Sequence, residues 1–190
     1  MTDFYFFVKE GWQHIISWYA LDHLLFIAAL VATHTYQQWK NLAVLVTAFT
    51  IGHSITLALS SFKIISINSY WVEIIIPVTI IITAALNVWQ HKNKSVYHQL
   101  KYGLALSFGC IHGLGFANTI QFMLASKQQI TVPLLGFNIG LEMGQILVVS
   151  LLLGFNFIIT NNTVLKQRWW ILSISICCIL LSIKMIIERF

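Results

Sequence analysis

Six runs of apolar residues, each long enough to cross a bilayer, constrain this chain more than any other feature. Crossing about 30 Å of hydrocarbon takes about 20 residues of helix. The runs at 12–33, 41–62, 70–90, 102–124, 132–158 and 169–187 meet that length. Backbone inside lipid finds no water to bond to, so each run is expected to be helical. Composition agrees: 58% of the 190 residues are hydrophobic and 9% charged, against about 25% charged in a soluble domain. The polar breaks "THTYQQWKN", "QHKNKSVYHQLK", "SKQQITV" and "TNNTVLKQR" are too short to hold a second domain. The expected fold is all-α and polytopic: one integral-membrane domain over residues 1–190, with six transmembrane helices in one bundle.

The few charges say where the loops lie. The formal charge of +5 comes from scattered residues and forms no basic stripe, which excludes nucleic acid as a partner and leaves the lipid bilayer. Loops after the first, third and fifth runs carry Lys40, Lys92, Lys94, Lys101, Lys166 and Arg168, and the other side carries Lys9, Lys63, Lys127, Lys184 and Arg189. Cytoplasmic loops are enriched in Lys and Arg, so both termini are expected outside the cytoplasm. Trp12, Trp39, Tyr70, Trp71, Trp89, Trp169 and Trp170 stand at run ends, where interfacial aromatics belong. Cys110, Cys177 and Cys178 sit in apolar runs without metal-type spacing and read as buried free thiols. The first run lacks a basic flank and contains Asp22 and His23, so it reads as a span and not as a signal peptide.

Ionisable residues inside the runs need a reason. Asp22 and His23, in "LDHLLF", lie about ten residues into the first run, or about 15 Å deep at 1.5 Å per residue. A carboxylate there costs about 2.5–3.5 kcal/mol on insertion scales. His53, His112 and Glu142 reach similar depths in the second, fourth and fifth runs. A shared site explains several such residues at one depth, and interhelical glue is the plainer alternative. Thr47, Thr50, His53 and Ser54 fall near one face of the second helix. Asn138, Glu142 and Gln145 share a face of the fifth, beside two overlapping GxxxG motifs at Gly136, Gly140 and Gly144 that favour close helix packing. Imidazoles with carboxylates suit nickel, cobalt or zinc. The expected metal residues are therefore His23, His53, His112, Asp22 and Glu142, with Thr50, Ser54, Asn138 and Gln145 as polar lining. Neighbours on a helix diverge by about 100°, so Asp22 is expected to ligate directly or to orient an imidazole, not to share an ion with His23. Glu73, near the start of the third run, is read chiefly as interfacial; His34, His91 and His98 are read as solvated loop residues.

Two echoes hint at an inverted 3+3 repeat: "FTIGHS" at 49–54 with "FNIGLE" at 137–142, and His23/Phe26 with His112/Phe116. Three helices per unit would give the halves opposite orientation, a transporter arrangement. "H…DHLLF" (14–26), "FTIGHSITL" (49–57), "HGLGFA" (112–117) and "FNIGLEMGQ" (137–145) together resemble the HupE/UreJ family of small membrane proteins. That resemblance implies a nickel or cobalt permease in the bacterial inner membrane, with His23, Asp22, His53, His112 and Glu142 as its carried-over residues. One departure stands out. Permease-type members have five residues between the first His and the Asp-His pair. Here the seven residues "IISWYAL" intervene, which puts His14 about 180° from His23 on an ideal helix. His14 therefore either lies in a non-helical segment or has left the site.

Three functions follow as expectations: a secondary transporter for a divalent transition metal; a membrane-embedded zinc-type hydrolase with Glu142 as base and Ser54 as auxiliary; and a non-catalytic assembly factor. Self-association into a homo-oligomer stays open. A reporter fused after Lys94 should be cytoplasmic and one fused after Phe190 external; the reverse pattern would overturn the orientation and leave the span count intact.

Overall fold

The computed structural model describes residues 2–89, 94–124, 130–162 and 166–189, and all regular structure among them is helical. Lys92, Lys127, His91 and the His98 side chain lie outside the described residues. The helices are α1 (Thr2–Ile16), α2 (Leu21–Ala32), α3 (Trp39–Ser61), α4 (Ser69–Trp89), α5 (Lys94–Leu124), α6 (Thr131–Asn162) and α7 (Gln167–Ile187), with short 3-10 turns at Trp18–Ala20 and Tyr36–Gln38. Five helices, α3 to α7, are long and apolar enough to cross a membrane.

The first run departs from expectation. It begins near residue 2 and is not one helix over 12–33: α1 and α2 are separate segments bent by 67° about residues 17–20. At 1.5 Å per residue they are about 22 and 18 Å long, each short of the hydrocarbon thickness. No Pro or Gly marks the break. Tertiary packing accounts for it, because α1 lies along α6 whereas α2 turns away to pack among α4, α6 and α7.

Glycines set the two closest helix contacts. A Cβ added to Gly140 of α6 would collide with the Val8 carbonyl and lie 2.8 Å from the Trp12 nitrogen of α1. A Cβ on Gly113 of α5 would collide with the His53 carbonyl and the Thr56 hydroxyl of α3. Backbones thus touch directly along α1–α6 and α3–α5, as small residues allow in lipid, where packing drives helix association. The GxxxG motifs of α6 pack as expected, against Phe4, Val8, Trp12 and Ile15.

The far end of α2 is buried among polar side chains. Asn87 of α4 donates to the Ala29 carbonyl at 2.6 Å and Gln167 of α7 to the Ala32 carbonyl at 3.2 Å. Asn156 of α6 donates to the His34 carbonyl at 2.9 Å. Lys101 of α5 donates to the Thr33 hydroxyl at 2.7 Å. His34 is buried, with Nδ1 2.8 Å from the Leu30 carbonyl, and is not the solvated loop residue expected. Its ring is needed to satisfy a helix end that water does not reach. Lys101 likewise lies buried in α5 and not in a loop. Of the three free cysteines only Cys178 is buried; Cys177 is exposed on the outside of α7 and Cys110 is half-buried. Trp170, in the first turn of α7, is buried against Phe155.

Gly113→Leu should destabilise the protein by about 1–3 kcal/mol, because the α3–α5 backbones have no room to separate without strain. Gly154→Ala, where a Cβ meets nothing within 4 Å, should change stability by less than about 0.5 kcal/mol. Thermal unfolding in detergent compares the two, and equal shifts would sink the packing argument.

Candidate metal centre

Asp22 and His23 occupy the first turn of α2. The positive end of the helix dipole favours a carboxylate there. Asp22 Oδ1 accepts the His23 backbone N–H at 2.8 Å and stands 3.0 Å from His23 Nδ1. A carboxylate oxygen accepts, so Nδ1 carries the proton and Nε2 keeps the lone pair. Asp22 therefore orients the imidazole, which is one of the two roles expected of it.

His14 lies in helical backbone and has not left the site. The break after Ile16 cancels the angular offset that a continuous helix would impose, and the His14 ring stands 4.6 Å from that of His23. His53 arrives from α3 and His112 from α5, held together by the Gly113 contact with the His53 backbone. Ring centroids lie 4.9 Å apart for His23–His112, 5.8 Å for His14–His53 and 6.0 Å for His23–His53. Two sets of ligand atoms lie within 4.8 Å of one another: His14, His23 and His53; and Asp22, His23 and His112. His23 belongs to both sets, so Asp22 and His23 do converge despite being neighbours on one helix.

The surroundings are apolar. Phe116 and Phe137 stack on each other at 5.0 Å and lie against His14, while Phe49 and Phe26 lie 5.1 and 5.6 Å from His112. Within this shell His14 Nε2, His23 Nε2 and both ring nitrogens of His53 and His112 are buried without a hydrogen-bond partner among the described residues. Each orphaned buried polar atom costs about 1–3 kcal/mol. Each neutral ring has one N–H and one lone pair, so the four imidazoles bring four lone pairs to one region and leave more polarity unpaired than interhelical glue would. An electron-pair acceptor would take their lone pairs, and an all-imidazole set with a supporting carboxylate fits nickel, cobalt or zinc.

The remaining expected residues lie beside this centre. Glu142 accepts hydrogen bonds from Thr47 at 2.7 Å and Thr50 at 2.5 Å and belongs to neither ligand set. Gln145 Oε1 lies 2.7 Å from the same Thr50 hydroxyl, whose one proton serves one of the two acceptors. The Ser54 hydroxyl donates to the Thr50 carbonyl, and Asn138 Oδ1 is buried without a partner among the described residues. The contacts of Thr47 and Thr50 with Glu142 and Gln145 join α3 to α6. Glu73 is exposed on the rim of a cavity, 3.8 Å from Arg189. That cavity, about 630 Å³, reaches His14, Asp22, His23 and His112. Its walls include Glu10 and Gln13 of α1 and Phe116, Thr119 and Met123 of α5, so it opens on the face where α1 begins and α7 ends. Glu10 escaped the sequence reading because the first span was expected to start at residue 12, and Gln13 because it stood at that span's edge; their signal is the spacing Glu10–Gln13–His14 along one helix.

A HupE / UreJ protein family model matches residues 1–189. No curated protein and no solved structure matches the chain. With its motif-bearing helices meeting at one buried His/carboxylate centre and its whole length covered by that match, the chain belongs to the HupE/UreJ family.

Proposed function

We propose that the protein is a secondary transporter for a divalent transition metal, nickel or cobalt first and zinc next, in the bacterial inner membrane. The observation that carries this reading is the clustering of four buried imidazoles with unpartnered nitrogens, three of which, His14, His23 and His112, line a cavity open to one face. The family's association with nickel and cobalt transport supports it. His14, His23, His53 and His112 are the ligands, Asp22 orients His23 and supplies negative charge, and Glu10 and Glu73 attract the cation to the cavity. In this reading the cavity faces away from the cytoplasm, on the side of both termini.

An inverted 3+3 arrangement belongs to the same proposal. The two halves of the echo at 49–54 and 137–142 occupy matching roles: Gly52 packs on α5 as Gly140 packs on α1, and Phe49 and Phe137 both wall the imidazoles. The hydrolase reading is disfavoured, since Glu142, its general base, is engaged by two threonines away from the imidazoles.

Titration of purified protein with Ni²⁺, Co²⁺ and Zn²⁺, with folding checked by size exclusion, tests the site. His14→Ala, His23→Ala, His53→Ala and His112→Ala should each weaken binding, and metal uptake into proteoliposomes should fall with it. Asp22→Asn should weaken binding about 10–100-fold, the usual effect of losing a partner that orients a ligand. Glu142→Gln should leave affinity within a few-fold of wild type. Full affinity in a well-folded His53→Ala protein, or uptake unaffected by the loss of any imidazole, would rule the centre out.

A further inference from the structure

The open cavity ends at the histidines, and the structure behind them is also polar. Across the aromatic layer from His112 lies a narrow void of about 10 Å³, enough for about one water. It is bounded by Phe26, Phe108, Thr83, Asn87, Lys101 and Leu104, among others. Phe26 belongs to both sides: its ring lies 5.6 Å from His112 and 5.9 Å from Phe108. A single layer of rings therefore separates the centre from the void.

The far wall is unusual for a bundle interior. Thr83, Asn87 and Lys101 are all buried there. Asn87 and Lys101 meet the C-terminal end of α2, the helix whose first turn carries Asp22 and His23. A helix C-terminus carries partial negative charge and attracts cations, and broken helices use such ends for ion sites in transporters. Here the Lys101 ammonium is the cation. As glue alone it is costly, since an amide would cap the same end without a buried charge.

We propose that this void is the closed second half of a translocation path through the histidine centre, with the Phe26–Phe108 contact as its gate and Lys101 as the cation that keeps the far end from retaining the ion. The proposal rests on the transporter reading. Divalent metal released by the imidazoles passes between the two rings, meets Thr83 and Asn87, and leaves beside Lys101 on the face opposite the termini. Lys101 acts on release, whereas affinity is set at the histidines.

The test uses full-length protein in proteoliposomes, with Cys110, Cys177 and Cys178 replaced by serine and Thr83→Cys added. A membrane-impermeant thiol reagent is applied from the face of the termini, so that it reaches Thr83→Cys through the open cavity and past the gate, with Ni²⁺ or Co²⁺ as the probe ion. Phe108→Ala should speed labelling of Thr83→Cys about tenfold, as expected for a closed state depopulated to that extent, and should let metal leak down its gradient. Phe108→Leu, which keeps more of the packing, should give the same direction if the alanine variant misfolds. Lys101→Gln should leave metal affinity unchanged but slow turnover several-fold. Unchanged labelling and tight, normal flux in folded Phe108 variants, or normal turnover in Lys101→Gln, would overturn the path while the transporter reading stands. Protein that binds metal yet shows no flux in any form would overturn the transporter reading and this path with it.

Discussion

Backbone polar groups inside hydrocarbon must find partners within the protein, and α2, the second segment of the bent helix pair, meets that demand at both of its ends. An unpartnered helix terminus in lipid costs several kcal/mol per group. At the C-terminal end of α2, side chains from α4, α5, α6 and α7 converge on the freed carbonyls and on the residues just after them. At its N-terminal end, Asp22 takes up the His23 amide, and the cavity brings solvent to the rest. Were the chain to run straight through residues 17–20 as one helix, His14 would face away from His23.

The histidines owe their positions to contacts that involve no histidine side chain. Each sits on a different helical segment, so their convergence depends on how closely those segments approach. Gly11 and Gly140 bring α1 onto α6, and Gly52, Gly109 and Gly113 bring α3 onto α5. The same approach leaves no space for larger residues, so the phenylalanines fill the gaps and form the dry shell. On the sides away from the cavity, that apolar shell strengthens electrostatic interactions at the centre.

Much of this was legible from sequence because lipid imposes simple rules. Five spans were placed to within a few residues except at the start of α5 and the end of α6, which extend into polar sequence because helix can continue past the hydrocarbon boundary. His23, His53 and His112 could be assigned to one depth by counting residues. The break at 17–20 could not be seen: it contains no Pro or Gly, and it exists because α1 and α2 have different packing partners. His14 was therefore misjudged on an angle that holds only for a continuous helix. Glu142 was grouped with the ligands because it shares their depth, but depth says nothing about azimuth, and its helix turns it toward Thr47 and Thr50. His34 and Lys101 looked like loop residues because their role, capping a buried helix end, belongs to an end the sequence does not mark.

In the transporter proposed above, the open cavity also shapes the electric field across the membrane. Solvent carries one bulk potential down to the imidazoles, so the voltage drop is concentrated in the remaining protein between them and the opposite face. A doubly charged ion crossing that layer moves through most of the field over a fraction of the bilayer thickness. At about 2.3 kcal/mol per elementary charge per 100 mV, this amounts to about 4.6 kcal/mol per 100 mV for a bare divalent ion. The aromatic layer beneath His112 is thus where the membrane potential does most of its work on the ion, and the rate of crossing it should depend steeply on voltage, whereas loading from the cavity should depend on voltage only weakly.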